Sequence, residues 1–366
     1  MRVVKLELDH FRLYERLRLE LDTDEVCFSG INATGKTSLL EAIYYLGTVR
    51  SFRFAEDRDL LRHGANLFAI RAEIERADER QMLALTYSRG GKQVAVDGER
   101  CTRLSELLGR LVVCLFTVED LDTIRGSAAR RRRFMDLLLA QVSPVYTKAM
   151  GEMTSTLRQR NAALRAEPFD PVAVAVWEAP LARACAAVTA LRRSTVDELS
   201  HLAPHLFAEL SGSQHHLALD YEGAIEETRL PAEQLEEPFV QLFRKNRERD
   251  RRRGYTTKGP QRDDLALTLD GSDLRRYASR GQQRLAMVAL RLAEADFLGR
   301  HTGTKPVFLL DDVASELDDT ASSRLLPALR ERVGQLIVTA LPDDLDRLGI
   351  QGQIMQVEDF QVTPTT

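Results

Sequence analysis

The segment 30–37 has the residue types and spacing that hold the phosphates of a nucleotide. It reads Gly-Ile-Asn-Ala-Thr-Gly-Lys-Thr and fits the pattern G-x-x-x-x-G-K-[ST], between an apolar strand pattern and a helical one. Lys36 would reach the β- and γ-phosphates, and the Thr37 hydroxyl would bind Mg²⁺. The flanking context disfavours an ordinary glycine-rich turn. The predicted ATP-binding residues are Gly30, Ile31, Asn32, Ala33, Thr34, Gly35, Lys36, Thr37 and Ser38.

Two adjacent acids near the other end of the chain could complete this site. The segment 305–312 is an apolar run that ends in Asp311 and Asp312, as expected for a buried parallel strand that delivers acids to its carboxyl edge. We assign Asp311 to Mg²⁺, directly or through water, and Asp312 to positioning or deprotonating the attacking water. Such a run alone is more often structural, but the phosphate-binding motif favours the catalytic interpretation. ABC-type ATPases more often have glutamate at the second position, so the shorter Asp312 predicts slow turnover.

A third motif lies between these two and opens a helical pattern. The segment 277–284 reads Tyr-Ala-Ser-Arg-Gly-Gln-Gln-Arg and resembles the ABC signature, in which a serine hydroxyl and a glycine N–H meet the γ-phosphate of ATP held by the opposite subunit. The simpler alternative is a helix N-cap. The position of the motif before the acidic strand, and the D-loop-like Ser-Glu-Leu-Asp at 315–318, favour the signature. The predicted trans contacts are Ser279, Gly281 and Gln282.

The strand pattern at 336–340 places one more residue beside the acids. ABC-type ATPases have a switch residue there, and Thr339 is the candidate, although many relatives use histidine. Asp312, Lys36 and Thr339 are thus the predicted catalytic residues.

The elements that must position these residues are readable from periodicity. Strand patterns occupy 3–8, 25–29, 69–73, 82–87 and 93–96, and a helix is predicted over 36–46. From about residue 128 to 205 the pattern is helical, without the sustained heptads of a long coiled coil. The sequence therefore predicts an α/β fold, an ABC-type P-loop ATPase head with an inserted, mostly helical second domain. We expect the head at 1–118 and 254–366 and the helical arm domain at 119–253.

Composition bounds the class of protein. The four cysteines show no CxxC spacing and no clustering with the seven histidines, which predicts neither a zinc site nor a disulfide framework and fits a reducing cytoplasm. The amino terminus begins with a strand pattern, and no stretch approaches the roughly 18 uncharged apolar residues of a membrane span. We therefore expect an unexported, cytoplasmic chain without its own membrane anchor.

The net charge of −4 hides two basic runs, at 130–133 and 244–253. Only seven of the 51 basic residues are lysines, and arginine suits bidentate phosphate contacts, although a genome-wide arginine bias explains this equally well. Both runs could bind duplex or gapped DNA without sequence preference, or could simply be solvated. The predicted DNA contacts are Arg130, Arg131, Arg132, Arg244, Lys245, Arg247, Arg251, Arg252 and Arg253.

Beyond the general ABC motifs, the sequence resembles the RecF family of recombination mediators, relatives of the SMC heads. The resemblance covers nearly the whole chain, and it adds Arg12, which follows the first strand, to the predicted nucleotide-binding residues. Two positions depart from the family pattern: Ala33, where glycine is common, and Gln261, where the family usually has histidine. The segments that carry the resemblance are 11–12, 38–44, 47–53, 119–121, 125–127, 131–136, 158–161 and 259–264, together with the signature and the acidic strand.

The resemblance implies an ATP- and Mg²⁺-dependent DNA-binding homodimer with weak, DNA-linked ATPase activity. It further implies a role with RecO and RecR in loading RecA at single-strand gaps, within DNA repair, DNA replication and the SOS response. Two alternatives have the same ATP chemistry. The nucleotide-binding subunit of a transporter should have a Leu-Ser-Gly-Gly-Gln-like signature and a glutamate after the acidic strand, and a structural SMC-like head should have long heptad arms; the sequence lacks these features.

Overall fold

The computed structural model of the chain describes residues 1–77, 79–225, 230–312 and 319–365, with side chains throughout these ranges except at 319–323. The predicted D-loop at 315–318 lies outside the described residues. The chain forms two compact units. Unit 1 comprises Met1–Leu121, His205–Gln214 and Arg284–Thr366, and unit 2 comprises Asp122–Pro204 and His215–Gln283.

The strands and helices follow one another in an α/β pattern. The strands are β1 (Arg2–Phe11), β2 (Tyr14–Glu20), β3 (Glu25–Ser29), β4 (Leu67–Arg76), β5 (Glu79–Ser88), β6 (Gly91–Val96), β7 (Glu99–Arg100), β8 (Val113–Thr117), β9 (Leu217–Glu222), β10 (Asp264–Leu269), β11 (Ser272–Asp273), β12 (Val307–Asp311), β13 (Gln335–Ala340), β14 (Gln353–Glu358) and β15 (Gln361–Pro364). The α-helices are α1 (Lys36–Thr48), α2 (Leu121–Arg125), α3 (Ala128–Val142), α4 (Pro144–Arg165), α5 (Pro171–Ala175), α6 (Glu178–Ser211), α7 (Ala232–Arg253), α8 (Leu274–Tyr277), α9 (Arg280–Thr302), α10 (Asp319–Arg332) and α11 (Leu345–Leu348).

A largely parallel sheet in unit 1 positions the predicted catalytic residues. Its order is β15-β14-β3-β13-β12-β8, and every neighbouring pair is parallel except β14 with β15. All residues of β3, β8, β12 and β13 are buried, as expected for parallel strands covered on both faces. In the register, Thr339 pairs with both Asp311 and Phe28. The phosphate-binding loop and the acids therefore emerge at one carboxyl edge, where α/β sheets bind ligands.

An antiparallel sheet completes unit 1, with the order β2-β1-β4-β5-β6-β7. Its Phe68 ring packs edge-on against Phe11 of the same sheet, with centroids 5.3 Å apart, and against Tyr45 of α1, with centroids 5.9 Å apart. Such edge-to-face pairs add about 0.5–1.5 kcal/mol each beyond the area that they bury. This packing fixes α1, and with it the loop that precedes the helix, against both sheets' strands.

The two units depart from the predicted division of the chain at three places. Residues 254–283, predicted to belong to the head, lie in unit 2, whereas residues 119–121 and 205–214, predicted to belong to the arm, lie in unit 1. The reason for the first difference is strand pairing, because β10 pairs along its whole length with β9 of the same unit. Local periodicity carries no information about such pairing between segments about forty residues apart.

The helices of unit 2 share one hydrophobic core. By length and mean hydropathy, the stretch Pro171–Ser211 is long enough to cross a membrane, which the sequence prediction did not anticipate. Half of its most apolar window is buried inside the protein, where Leu181, Cys185 and Val188 belong to the same core cluster as Phe239 and Phe243. Packing within the chain thus accounts for the buried half of this apolar window.

Candidate nucleotide site and basic surface

The loop between β3 and α1 has a backbone that only glycine allows at two points. Gly35 adopts φ 105, and a Cβ there would lie 2.7 Å from the Tyr14 hydroxyl. A Cβ at Gly30 would overlap the carbonyl oxygen of Val357. The N–H of Gly30 donates to the Ala340 carbonyl at 3.2 Å, which ties the loop to β13. Ala33 also adopts a left-handed φ of 67, which explains why glycine suits this position in the related sequences.

The Lys36 side chain folds back onto the start of this loop. Its Nζ donates to the carbonyl oxygens of Gly30 at 2.5 Å and Ile31 at 2.8 Å. Burial lowers the pKa of Lys36, while the carboxylates of Asp312 and Asp311 act in the opposite direction. The ammonium group is thus held at the loop that would surround the phosphates, close to both acids.

Asp311 lies at the end of β12 between two threonine hydroxyls. Its Oδ1 accepts hydrogen bonds from Thr339 at 2.8 Å and from Thr37 at 3.1 Å. Burial raises the pKa of Asp311 despite these two bonds, and the nearby charge of Asp312 raises it further, whereas that of Arg53 lowers it. A buried carboxylate of this kind favours a cation beside it.

These residues fit Mg²⁺. A threonine hydroxyl and a carboxylate are oxygen ligands of the type that Mg²⁺ prefers, and Mg²⁺ is usually held by one or two protein groups together with substrate phosphates. Among the described residues, no group of three or more His, Cys, Asp and Glu side chains could form a site made of protein alone. Thr37 and Asp311 are the residues that would hold the ion together with the phosphates of a nucleotide.

Thr339 connects the two acids. Its Oγ1 donates to Asp311 and accepts the backbone N–H of Asp312 at 2.9 Å. Asp312 adopts a left-handed φ of 50, a conformation that aspartate tolerates better than most residues. Thr339 is only 1% exposed. The geometry gives this predicted switch residue a positioning role between the acids.

Arg12 is engaged by α1 in this structure. Its Nε and Nη2 each donate to the Glu41 carboxylate at 2.8 Å, and its Nη1 donates to the Asp59 carbonyl at 3.0 Å. Glu41 is fully buried and also accepts the Ser51 hydroxyl at 2.5 Å. Sequence reasoning did not single out Glu41 or Ser51, although both lie in segments that resemble the RecF family. A contact of Arg12 with nucleotide stays a prediction.

The signature segment forms a capping box at the start of α9. The Ser279 hydroxyl accepts the N–H of Gln282 at 3.2 Å, and the Gln282 side chain accepts the N–H of Ser279 at 2.8 Å. Gln283, which the sequence prediction omitted, holds the preceding turn by donating to the carbonyls of Leu274 and Ala278. Ser279 and Gly281 are exposed. The N-cap alternative is therefore realised in this chain, and contact with a second subunit's ATP stays a prediction.

In the first basic run, one predicted DNA contact is buried, and contacts of Arg130 and Arg132 with DNA stay predictions. Arg131 is 5% exposed, and its guanidinium donates to Asp264 at 2.7 Å through both Nε and Nη2. Arg132 donates to the Asp263 carbonyl at 2.7 Å, and Arg130 lies 3.4 Å from the Asp122 carboxylate. The prediction that Arg131 contacts DNA is wrong, because a partner 133 residues away in the chain uses its guanidinium.

The second basic run lies at the carboxyl end of α7 and is mostly exposed. Arg247 is the exception, since its guanidinium donates to the Glu178 carboxylate at 2.6 and 3.0 Å. The exposed members that were predicted to contact DNA are Arg244, Lys245, Arg251, Arg252 and Arg253.

Comparison with known proteins places this arrangement in a family. The family model described as RecF/RecN/SMC N terminal domain matches residues 2–354. The DNA replication and repair protein RecF of Staphylococcus epidermidis is 33% identical over 352 residues, which cover 94% of this chain and 95% of that protein. This chain belongs to the RecF family. Its fold is accordingly the mixed α/β head of ABC-type ATPases.

Solved structures agree with this assignment. The structure described as the recombination mediator protein RecF-ATP in the RecFOR pathway has a TM-score of 0.90 and 26% identity, and the match covers 100% of this chain and 99% of that one. The Smc head domain of Pyrococcus furiosus has a TM-score of 0.57 at 17% identity, covering 100% of this chain and 96% of that one. At that identity the likeness concerns the fold alone.

Proposed function

We propose that this chain is an ATP-dependent DNA-binding clamp of recombinational DNA repair. In this proposal, ATP binding joins two copies head to head on gapped or duplex DNA, and slow hydrolysis releases them. The chain would act in the cytoplasm with RecO and RecR to assist RecA loading. The description of the solved RecF-ATP structure, which assigns that protein to the RecFOR pathway, supports this role. The observation that carries the proposal is the convergence of Lys36, Thr37 and Asp311 at one sheet edge in a member of the RecF family.

Each residue of the site has a distinct task in this mechanism. The loop N–H groups and Lys36 would bind the β- and γ-phosphates, and Thr37 and Asp311 would hold Mg²⁺. When bound, the ion would neutralise charge on the phosphates. Asp312 would orient or deprotonate the attacking water. Ser279 and Gly281 of the second copy would complete each site, so that ATP is shared across the dimer and its cleavage separates the two heads.

The proposal is tested by equilibrium binding of the purified protein to a gapped duplex. Binding is measured with ATP, with ADP and without nucleotide, at about 50 and 200 mM salt. We expect tight binding only with ATP, falling by roughly a thousandfold between these salt concentrations if about six phosphates are contacted. Weak binding that is indifferent to nucleotide would contradict the clamp.

Two variants connect this binding to the site. Lys36→Met should abolish ATP binding and, with it, tight DNA binding. Asp312→Asn should keep ATP uncleaved and therefore prolong the dimer on DNA, measured as a slower dissociation rate after dilution into excess unlabelled DNA. An Asp312→Asn protein that left DNA as fast as the parent protein would remove hydrolysis from the release step.

A further inference from the structure

The basic run at the end of α7 exposes fewer acidic side chains than its sequence suggests. Of the two acids within it, only Glu248 is exposed. Asp250 is fully buried, where its carboxylate accepts Arg160 at 2.7 Å. Arg160 is itself 0% exposed and is also bonded to Thr256 at 2.8 Å. The surface at this end of the helix therefore displays the cations of the run without one of its anions.

The same buried acid folds the next segment back beside the helix end. The left-handed Gly254, with φ 72, ends α7. The second oxygen of Asp250 then accepts the Thr257 N–H at 2.9 Å and its hydroxyl at 2.6 Å. Gln261 donates to the Lys258 carbonyl at 3.0 Å. This holds the exposed cations Lys258 and Arg262 in a defined loop that follows Arg253 directly.

Aromatic rings brace two of the exposed guanidinium groups. Arg251 lies 4.1 Å from the Phe169 ring centroid, and Arg262 lies 5.4 Å from that of Tyr255. A guanidinium stacked on a ring has fewer rotamers to lose when it binds a phosphate. A third segment contributes Arg165, which is exposed and whose Cγ lies 3.2 Å from the position of a Cβ on Gly254.

We infer that these cations form one binding surface for the phosphate backbone of duplex DNA. This basic end of unit 2 consists of Arg165, Arg251, Arg252, Arg253, Lys258 and Arg262. The inference rests on the proposed function and locates its DNA contact at the end of α7 and the 254–262 loop, away from the 130–132 run. In the described part of the chain, Arg252, Arg253 and Lys258 have no carboxylate partner, so their charge is available to an external anion.

The competing explanation is intramolecular. Cations in the last turn of a helix stabilise it through the helix dipole, which would explain Arg251, Arg252 and Arg253 without any ligand. It does not explain Lys258 and Arg262, which lie beyond the helix in a loop fixed by Asp250 and Gln261. The two explanations predict different effects when these cations are replaced by neutral residues. The helix-dipole explanation predicts a loss of thermal stability, and the DNA-binding explanation predicts a loss of DNA affinity.

The test compares two variants that lose the same charge. The first is Arg252→Gln/Arg253→Gln/Lys258→Gln/Arg262→Gln. The control is Arg16→Gln/Arg18→Gln/Arg58→Gln/Arg80→Gln, four arginines of unit 1 whose side chains are 77%, 71%, 72% and 62% exposed. Binding of a labelled duplex is measured with ATP across a salt series, together with the melting temperature of each protein.

We expect the first variant to weaken binding at least about thirtyfold and to reduce the slope of log K against log salt by about 3 to 4, since each lost phosphate contact removes about 0.9. The control should stay within about threefold of the parent protein with an unchanged slope. If the parent protein binds DNA in an ATP-dependent manner and the first variant keeps the parent's affinity and salt slope, the basic end of unit 2 is not the DNA-binding surface. The proposed clamp function would be unaffected by that result. A parent protein that does not bind DNA with ATP overturns both.

Arg262→Lys separates a braced contact from diffuse attraction. Lysine keeps the charge but loses both the stacking on Tyr255 and the bidentate fork. A positioned phosphate contact predicts a loss of about three- to tenfold in affinity with little change in salt slope. Parent-like affinity in Arg262→Lys, together with a large loss in Arg262→Gln, would overturn the braced geometry.

Discussion

At the scale of single residues, the acids of the site depend on a hydroxyl that belongs to neither motif. Thr339 donates to Asp311 and accepts from the Asp312 N–H. A side chain without a hydroxyl would leave the Asp312 N–H without this acceptor and Asp311 with only the Thr37 hydroxyl, and a buried polar group that loses its partner costs about 1–3 kcal/mol. In the proposed mechanism, Thr339 would therefore position Asp311 for Mg²⁺ and Asp312 for water without touching the reacting atoms.

Substitution of Thr339 tests this positioning role. Thr339→Val preserves the side-chain shape and removes the hydroxyl. We expect kcat for ATP hydrolysis to fall by at least about tenfold, because misplaced acids need raise the activation free energy by only about 1.4 kcal/mol to have this effect. The Mg²⁺ concentration for half-maximal activity should rise. Thr339→Ser restores the hydroxyl and should recover most of both. Magnesium titrations of steady-state hydrolysis measure the effect, and a Val variant with the parent's magnesium dependence would refute the role.

The contacts of single side chains were predicted less completely from the sequence than the strands and helices were. The loop motif and the acidic strand pattern predicted the elements that bring Thr37 and Asp311 within hydrogen-bonding distance, while the binding roles of Lys36, Thr37 and Asp311 stay predictions. The positions of Arg131 and Glu41 could not be predicted, because their partners Asp264 and Arg12 lie in distant segments. Whether an arginine faces solvent or a buried carboxylate is decided by tertiary packing, and a run of identical residues hides this difference.

At the scale of elements, the predictions succeed where one pattern fills one element. The predicted strand 25–29 and the predicted helix start at residue 36 agree with β3 and α1. The strands β2, β8 and β9 were not among the predicted strands. β8 is a run of five buried residues, and a short apolar run does not distinguish a buried strand from a buried helix turn. Yet β8 pairs with the whole of β12 and so supports the acidic strand.

The capping box at the start of α9 allows stability and trans binding to be separated. Aspartate is as good an N-cap as serine, so Ser279→Asp should keep the melting temperature. Its negative charge would face the partner's γ-phosphate, so ATP-dependent dimerisation should be lost while monomer ATP binding remains. Light scattering and nucleotide titration measure the two effects. Ser279→Ala provides the converse control, since loss of the cap costs about 1 kcal/mol of stability. Normal ATP-dependent dimerisation of Ser279→Asp would refute a trans role for this residue.

At the scale of the whole molecule, the two halves of the proposed ATP site are carried by different units. The phosphate-binding loop and the acids belong to unit 1, whereas Ser279 and Gly281 belong to unit 2. The exposed Ser279 hydroxyl and the Gly281 N–H at the start of α9 would donate to a nucleotide bound to a second copy. A symmetric dimer would then contain two equivalent sites, each made of one loop and one signature.

Mixing two inactive variants tests this composite arrangement. Lys36→Met lacks a working loop but keeps its signature, and Ser279→Asp keeps its loop but lacks a working signature. In a mixed dimer, the loop of the Ser279→Asp copy meets the signature of the Lys36→Met copy, which restores one complete site. We therefore expect ATP hydrolysis from the mixture that neither protein shows alone, rising and falling with the fraction of mixed dimers as the mixing ratio is varied at constant total protein. A mixture as inactive as its components would contradict the shared site, and hydrolysis by Ser279→Asp alone at the parent's rate would mean that each ATP is cleaved within a single copy. In that case Ser279 would serve α9 only as a cap.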